Sequence, residues 1–319
     1  MNQTSSPVAD LSYRNYDGPL QRTDLAWWVI AKSTMMKAAR MKSLWTVSVI
    51  AGWYFIVMII ILFFLQELSS LSGGQKAFHT FIDRIVWKDQ FVHGMSYAQH
   101  LVLVVALMTG AGAIANDNRA NALLVYLSKP CTKFDYVLGK WIGVFIPMLL
   151  IISLPVFVFY GYGLFSFRGE GFFSSDKWLV AKLLVVLPIS AMLHTSLVLA
   201  FSSMFKQGRI AGAAYAGFYF MLFFFTTLME LVWRIGSKGH NHPPEIIKTL
   251  FYCSVDGVQV AWIRSILDFS KTGPFGVPSI QQMIANPPSP WLMLVVVLAV
   301  SALCILITWR RVRAVEVVG

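Results

Sequence analysis

Six stretches of this sequence stay apolar for about twenty residues each, and a chain that carries them has few folds open to it. Crossing about 30 Å of hydrocarbon at about 1.5 Å per helical residue takes roughly 20 residues. The stretches are Trp45 to Leu65, Tyr97 to Ala115, Trp141 to Phe165, Trp178 to Met204, Ile210 to Trp233 and Trp291 to Trp309. Several are edged by Trp or Tyr, as expected where a ring sits at headgroup level. Composition agrees, since 57% hydrophobic and 13% charged residues, with a mean hydropathy of +0.64, are more apolar surface than a soluble fold of this length can hide. The sequence therefore predicts an all-α integral membrane protein with six transmembrane helices over 45–309. A segment over 1–44 precedes them and a short tail over 310–319 follows.

Charge orients the helices. The side of the N-terminus holds Arg14, Arg22, Lys32, Lys37, Arg40 and Lys42, then Arg119, Lys129, Lys133 and Lys140, then Lys206 and Arg209, and finally Arg310, Arg311 and Arg313. The opposite side holds Lys76, Arg84, Lys88, Arg168, Lys177, Lys182, Arg234, Lys238, Lys248, Arg264 and Lys271, but five of these fall in one long loop, where the bias is weak. Both termini are therefore expected in the cytoplasm. The net charge of +11 belongs to these flanks, which argues against a nucleic-acid partner. The first twenty-odd residues are polar and hold Pro7, Gly18 and Pro19, so the first span is expected to serve as the targeting signal. The three cysteines, Cys131, Cys253 and Cys304, are far apart and imply no disulfide framework.

Three further helices are expected beside the spans. Asp24 is placed to cap one running to about Lys42; its Trp27, Trp28, Lys32, Lys37 and Arg40 suit a membrane interface. Lys32 falls inside the apolar stripe of Leu25, Trp28, Met35 and Ala39 and has to snorkel. After the first span, Phe78, Phe81, Ile82, Ile85 and Val86 follow helical spacing and predict an amphipathic helix on the outer membrane surface. A second outer candidate places Ile247, Phe251, Val255, Val258, Trp262 and Ile266 near helical spacing.

Candidate chemistry is sparse. Leu71-Ser72-Gly73-Gly74-Gln75 spells the signature with which cassette ATPases touch nucleotide, yet the chain has no GxxxxGK[ST] phosphate loop, and the string lies past the outer end of a span. It is read as a turn. Ionisable residues in or near the spans are His100, Lys182, His194 and Glu230. His194 is the deep one, suited either to an interhelical hydrogen bond or to a place along a translocation path. Pro147, Pro155 and Pro188 are expected to kink or end helix turns, and Gly208, Gly212 and Gly217 to admit close helix approach. His79, His93, His240 and His242 lie in outer loops without a Cys partner and are read as surface histidines; no metal and no catalytic residue is expected.

The connection between the second and third spans is the most informative stretch. Leu123, Leu124, Tyr126 and Leu127 extend a helix out of the membrane with more apolar surface than a free loop should expose, and Pro130 turns the chain. Such a surface suits docking to another protein or packing on this chain's own helix near Lys32 to Lys42. In family terms the stretch resembles the ABC-2 type transporter permeases. Those proteins carry an acidic and basic cluster as the second helix leaves the membrane, a leu-leu-ser-x-pro turn, and an aromatic-x-x-x-gly-lys entry to the third helix. Asp117, Arg119, Leu127, Ser128, Pro130, Tyr136, Gly139 and Lys140 match, whereas Asn118, Asn121 and Ala122 stand where the family has glutamates and a Gly-Thr step.

The resemblance implies the permease subunit of an ATP-driven transporter, an exporter in a bacterial plasma (inner) membrane. It implies pairing with a second permease chain, identical or related, and docking of a separate ATPase subunit by the 117–140 stretch and the Trp27 to Lys42 helix. ATP and Mg are then expected in that partner and no cofactor in this chain. A secondary transporter, which needs ionisable residues at the midplane, finds only His194. A membrane enzyme finds no cluster of polar residues on facing helices. A membrane-anchored scaffold or assembly factor without ATP coupling is the remaining alternative.

Overall fold

The computed structural model describes residues 25–70, 74–122, 131–236, 250, 252–270, 273 and 288–312. Among them there are helices and no strands. In chain order the helices are α1 (Ala26–Ala39), α2 (Lys42–Ala51), α3 (Trp53–Ser69), α4 (Gly74–Ile82), α5 (Trp87–Tyr97), α6 (Gln99–Gly110), α7 (Ala115–Arg119) and α8 (Lys133–Ser166). They continue with α9 (Phe172–Ser175), α10 (Leu179–Met204), α11 (Gly208–Gly236), α12 (Val255–Ile266) and α13 (Pro290–Arg311). Five segments are long and apolar enough to cross a bilayer, namely Gln99–Arg119, Lys133–Ser166, Leu179–Met204, Gly208–Trp233 and Pro290–Arg311. The pair α2 and α3 makes a sixth if it crosses as one.

The first expected span, Trp45 to Leu65, falls on that pair. It bends by 55° between Ala51 and Trp53. At the bend, a Cβ added to Gly52 would stand 2.7 Å from Pro155 Cβ on α8, so the glycine lets the two helices touch where the chain turns. Pro155 and Pro147 sit inside α8 without ending it, and Pro188 does the same in α10. The second span also starts later than Tyr97, because the helix breaks at Ala98.

The third span is longer than Trp141 to Phe165. Thr132 caps α8 by accepting from the Asp135 amide at 3.1 Å, while the Asp135 carboxylate accepts from the Thr132 amide at 2.9 Å. With 34 residues α8 reaches about 51 Å, roughly 20 Å more than the hydrocarbon needs. The helix begins at Lys133. α1 lies along it rather than free on a surface, with Ile30, Ala31 and Ala38 buried. Gly139 and Gly143 make the contact possible: a Cβ on Gly139 would stand 2.6 Å from the Trp27 carbonyl oxygen, and one on Gly143 would stand 2.6 Å from Thr34 Cβ. α1 ends at Ala39, short of Lys42, and Asp24 lies outside the described residues.

α10 is the central helix, its residues Leu193 to Ala200 buried without interruption. α11 is peripheral and exposes Met221, Phe224, Leu228, Leu231 and Ile235, which suits lipid as a neighbour. At the end opposite α1, α4 has the expected amphipathic pattern, but Phe78 and Ile82 are buried in protein, with Phe78 stacked on Phe167 at 6.3 Å. The apolar face drawn for the membrane surface is thus covered by the chain itself. Gly74 and Gln75 open α4, and 71–73 lie outside the described residues. α12 forms over the second outer candidate from Val255 on, with Trp262 and Ile263 buried, while Ile247 and Phe251 lie outside the described residues. Lys182 bridges Asp176 at 2.8 Å and Asp268 at 3.1 Å, tying the start of α10 to the chain after α12.

Candidate functional site

The site forms where α7 meets the start of α8. α6 ends at Gly110 and, after four intervening residues, α7 begins at Ala115, so the buried amides in between need partners from elsewhere. Ser202 on α10 supplies one: its Oγ accepts from the Ile114 and Ala115 amides, each at 3.0 Å, and donates to the Ala111 carbonyl at 2.8 Å. This one hydroxyl fixes the break and aims α7. Nothing in the sequence marks Ser202 for the task, because a serine among apolar residues on a central helix usually bonds its own backbone.

α7 then presents Asp117 to α8. Tyr136, one helical turn before Lys140, donates its hydroxyl to Asp117 Oδ2 at 2.8 Å, and Lys140 Nζ stands 2.7 Å from the same oxygen. The i and i+4 spacing puts both donors on one face of α8. Tyr136 is fully buried, and the Lys140 side chain is 10% exposed against 20% for Asp117. The ammonium also lies 5.6 Å from the Tyr136 ring centre. The stretch that carries the family resemblance is therefore held by one shared carboxylate.

Of the other expected site residues, Leu123, Leu124, Leu127, Ser128 and Pro130 lie outside the described residues. Arg119 is exposed at the end of α7. Gly139 serves α1, as described. Trp27 is half-buried and meets Trp28 edge-on at 5.8 Å, while Lys32, Lys37 and Arg40 are exposed. Cys131, just before α8, has its thiol pushed up by burial and, in second place, by the Asp135 carboxylate.

A cavity of about 890 Å³ opens beside this joint, between α1, α7 and the start of α11. Lys37, Arg119, Lys140 and Arg209 line it, and Asp117 is the one acid among its described lining residues. Gly208 closes one wall, where an added Cβ would stand 2.9 Å from Gly112 Cα. Gly212 also meets α6, whereas a Cβ on Gly217 would meet nothing within 4 Å among the described residues.

His194 stays apart from this site. It is fully buried on α10, and its Nδ1 shares a hydrogen bond of 2.7 Å with the Tyr215 hydroxyl on α11. It lines neither this cavity nor the smaller one among Gln99, Ser190 and Gln259. His100 packs edge-on against Phe223 at 4.8 Å. Of the four histidines read as surface ones, His79 is exposed, but His93 is buried on α5, edge-on to Phe269 at 5.5 Å, which corrects that reading, and His240 and His242 lie outside the described residues. Among the described residues no group of three His, Cys, Asp or Glu could hold a metal.

Comparison with curated proteins gives no match. The family described as ABC-2 family transporter protein matches residues 28–311, which takes in α1, the bent pair, the Asp117 joint and every candidate span. The chain belongs to the ABC-2 family of transporter proteins, as a multi-pass membrane subunit of an ABC transporter.

Proposed function

We propose that this chain is the permease of an ATP-driven exporter, paired with a second permease chain and driven by a separate ATPase that docks at the end holding α1 and α7. The positive-inside bias assigns that end to the cytoplasm. One observation carries the reading: Asp117 ties the ends of α7 and α8 together through Tyr136 and Lys140, so the 120–132 connection hangs from a braced joint. A braced joint transmits force where a loose one absorbs it. Movement imposed there reaches Pro155 through the continuous α8, and Pro155 is the residue against which the first span bends at Gly52. ATP and Mg belong to the partner in this scheme, since the sequence holds no phosphate loop.

The test is coexpression with an ABC ATPase from the same genome. The two should copurify, and in lipid the complex should hydrolyse ATP while the permease alone does not. An Asp117→Asn complex that assembles but loses substrate stimulation supports the joint as the coupling element. Stimulation unchanged in that variant contradicts it.

A further inference from the structure

We propose that the cavity beside the Asp117 joint binds the phosphate-bearing headgroup of an anionic lipid, whose acyl chains lie along α11. The inner-leaflet placement rests on the topology proposed above.

Three observations point to this ligand. The first is charge, because four cations, Lys37, Arg119, Lys140 and Arg209, face one cavity whose one acid among the described lining residues, Asp117, is already held by Lys140. A cavity so lined attracts a phosphate, and basic pockets between helices at the cytoplasmic side suit lipid headgroups. The second is the position of α11, which starts at Gly208 on the cavity wall and directs the positive end of its dipole there. The third is continuity with an apolar face. From Arg209 and Ala213 in the cavity the same side of α11 runs on through Gly217, Met221 and Phe224, all exposed. Gly217 leaves a gap with nothing within 4 Å of an added Cβ. A free phosphate satisfies the cations and leaves that face unused. A lipid uses both.

The purified chain alone, without an ATPase, provides the assay, so failure here is separate from failure of the docking reading. Native mass spectrometry from mixed micelles should show phosphatidylglycerol retained in preference to phosphatidylcholine. The double variant Lys37→Gln with Arg209→Gln should lower that retention about tenfold or more. Gly217→Trp, which alters no charge, should lower it as well by crowding the face along which the acyl chains lie. Inorganic phosphate at millimolar concentration should not displace the lipid; full displacement would make the site one for a free anion and overturn the proposal. Equal retention of the two lipids, or a charge variant that retains phosphatidylglycerol like the wild type, would also overturn it. So would disulfide crosslinking between copies carrying Gly217→Cys, with lipid retention unchanged, because a second chain would then cover the face.

Discussion

Lys140 Nζ approaches the Asp117 oxygen that also accepts the Tyr136 hydroxyl, at 2.7 Å and 2.8 Å, so a single carboxylate oxygen joins two helices by two bonds. Removing the charge with Asp117→Asn leaves the largely buried Lys140 without its counter-ion. The expected cost is about 1–3 kcal/mol. Adding Lys140→Gln should recover part of it, and thermal unfolding of both single variants and the double variant in detergent gives the coupling. Additive losses would show that the two side chains do not act as a pair.

The contact between α1 and α8 rests on glycines. A methyl group at Gly139 meets the Trp27 carbonyl and Ile30 Cβ at 2.6 Å and 2.8 Å, so Gly139→Ala should push α1 off α8. Cysteine placed at the buried Ala38 reports this as faster labelling by a thiol reagent in membranes open at both faces. Gly161→Ala on the same helix meets nothing within 4 Å and should leave the labelling unchanged. Equal labelling in both variants would contradict the packing.

Much of this architecture was legible beforehand, and what was not has a common cause. Apolar runs marked the five to six candidate spans, because bilayer thickness acts on each segment alone. The bend at Gly52 escaped, since its reason is Pro155 about a hundred residues away. The covered face of α4 escaped in the same way: an amphipathic period shows that Phe78 and Ile82 are buried, not whether lipid or Phe167 buries them. At the site, the spacing of Asp117, Tyr136 and Lys140 drew attention through family likeness, and folding brought the three together. The role of Ser202 and the meeting of Lys37 with Arg209 in one cavity depend on tertiary packing and left no local signal.

Ser202 offers a test of its own. Ser202→Ala strands the buried Ile114 and Ala115 amides and should cost about 1–3 kcal/mol, whereas Ser203→Ala, whose hydroxyl bonds only the Ala200 carbonyl one turn earlier, should cost less. Midpoints of thermal unfolding compare the two. A larger loss at Ser203 would remove Ser202 from its place in the helix break.

The raised thiol pKa of Cys131 predicts a pH dependence. Thiolate is the reacting species, so alkylation at neutral pH should be slow and should keep rising as pH passes the ordinary value of 9.0. Iodoacetamide labelling on a background lacking Cys253 and Cys304 measures it. A rate that levels off below 9.0 would place the thiol in different surroundings.

The central claim is that an ATPase docks on the connection between α7 and α8, and the most direct test puts a charge into it. Leu124→Asp and Leu127→Asp touch no span, so the chain should reach the membrane at normal levels. A carboxylate in a desolvated contact costs several kcal/mol, and pull-down of the tagged variants should recover little or no ATPase. Ser279→Asp, between α12 and α13 in sequence, should retain it. Recovery of the ATPase at wild-type levels with both leucine variants would show that this connection is not where the partner docks.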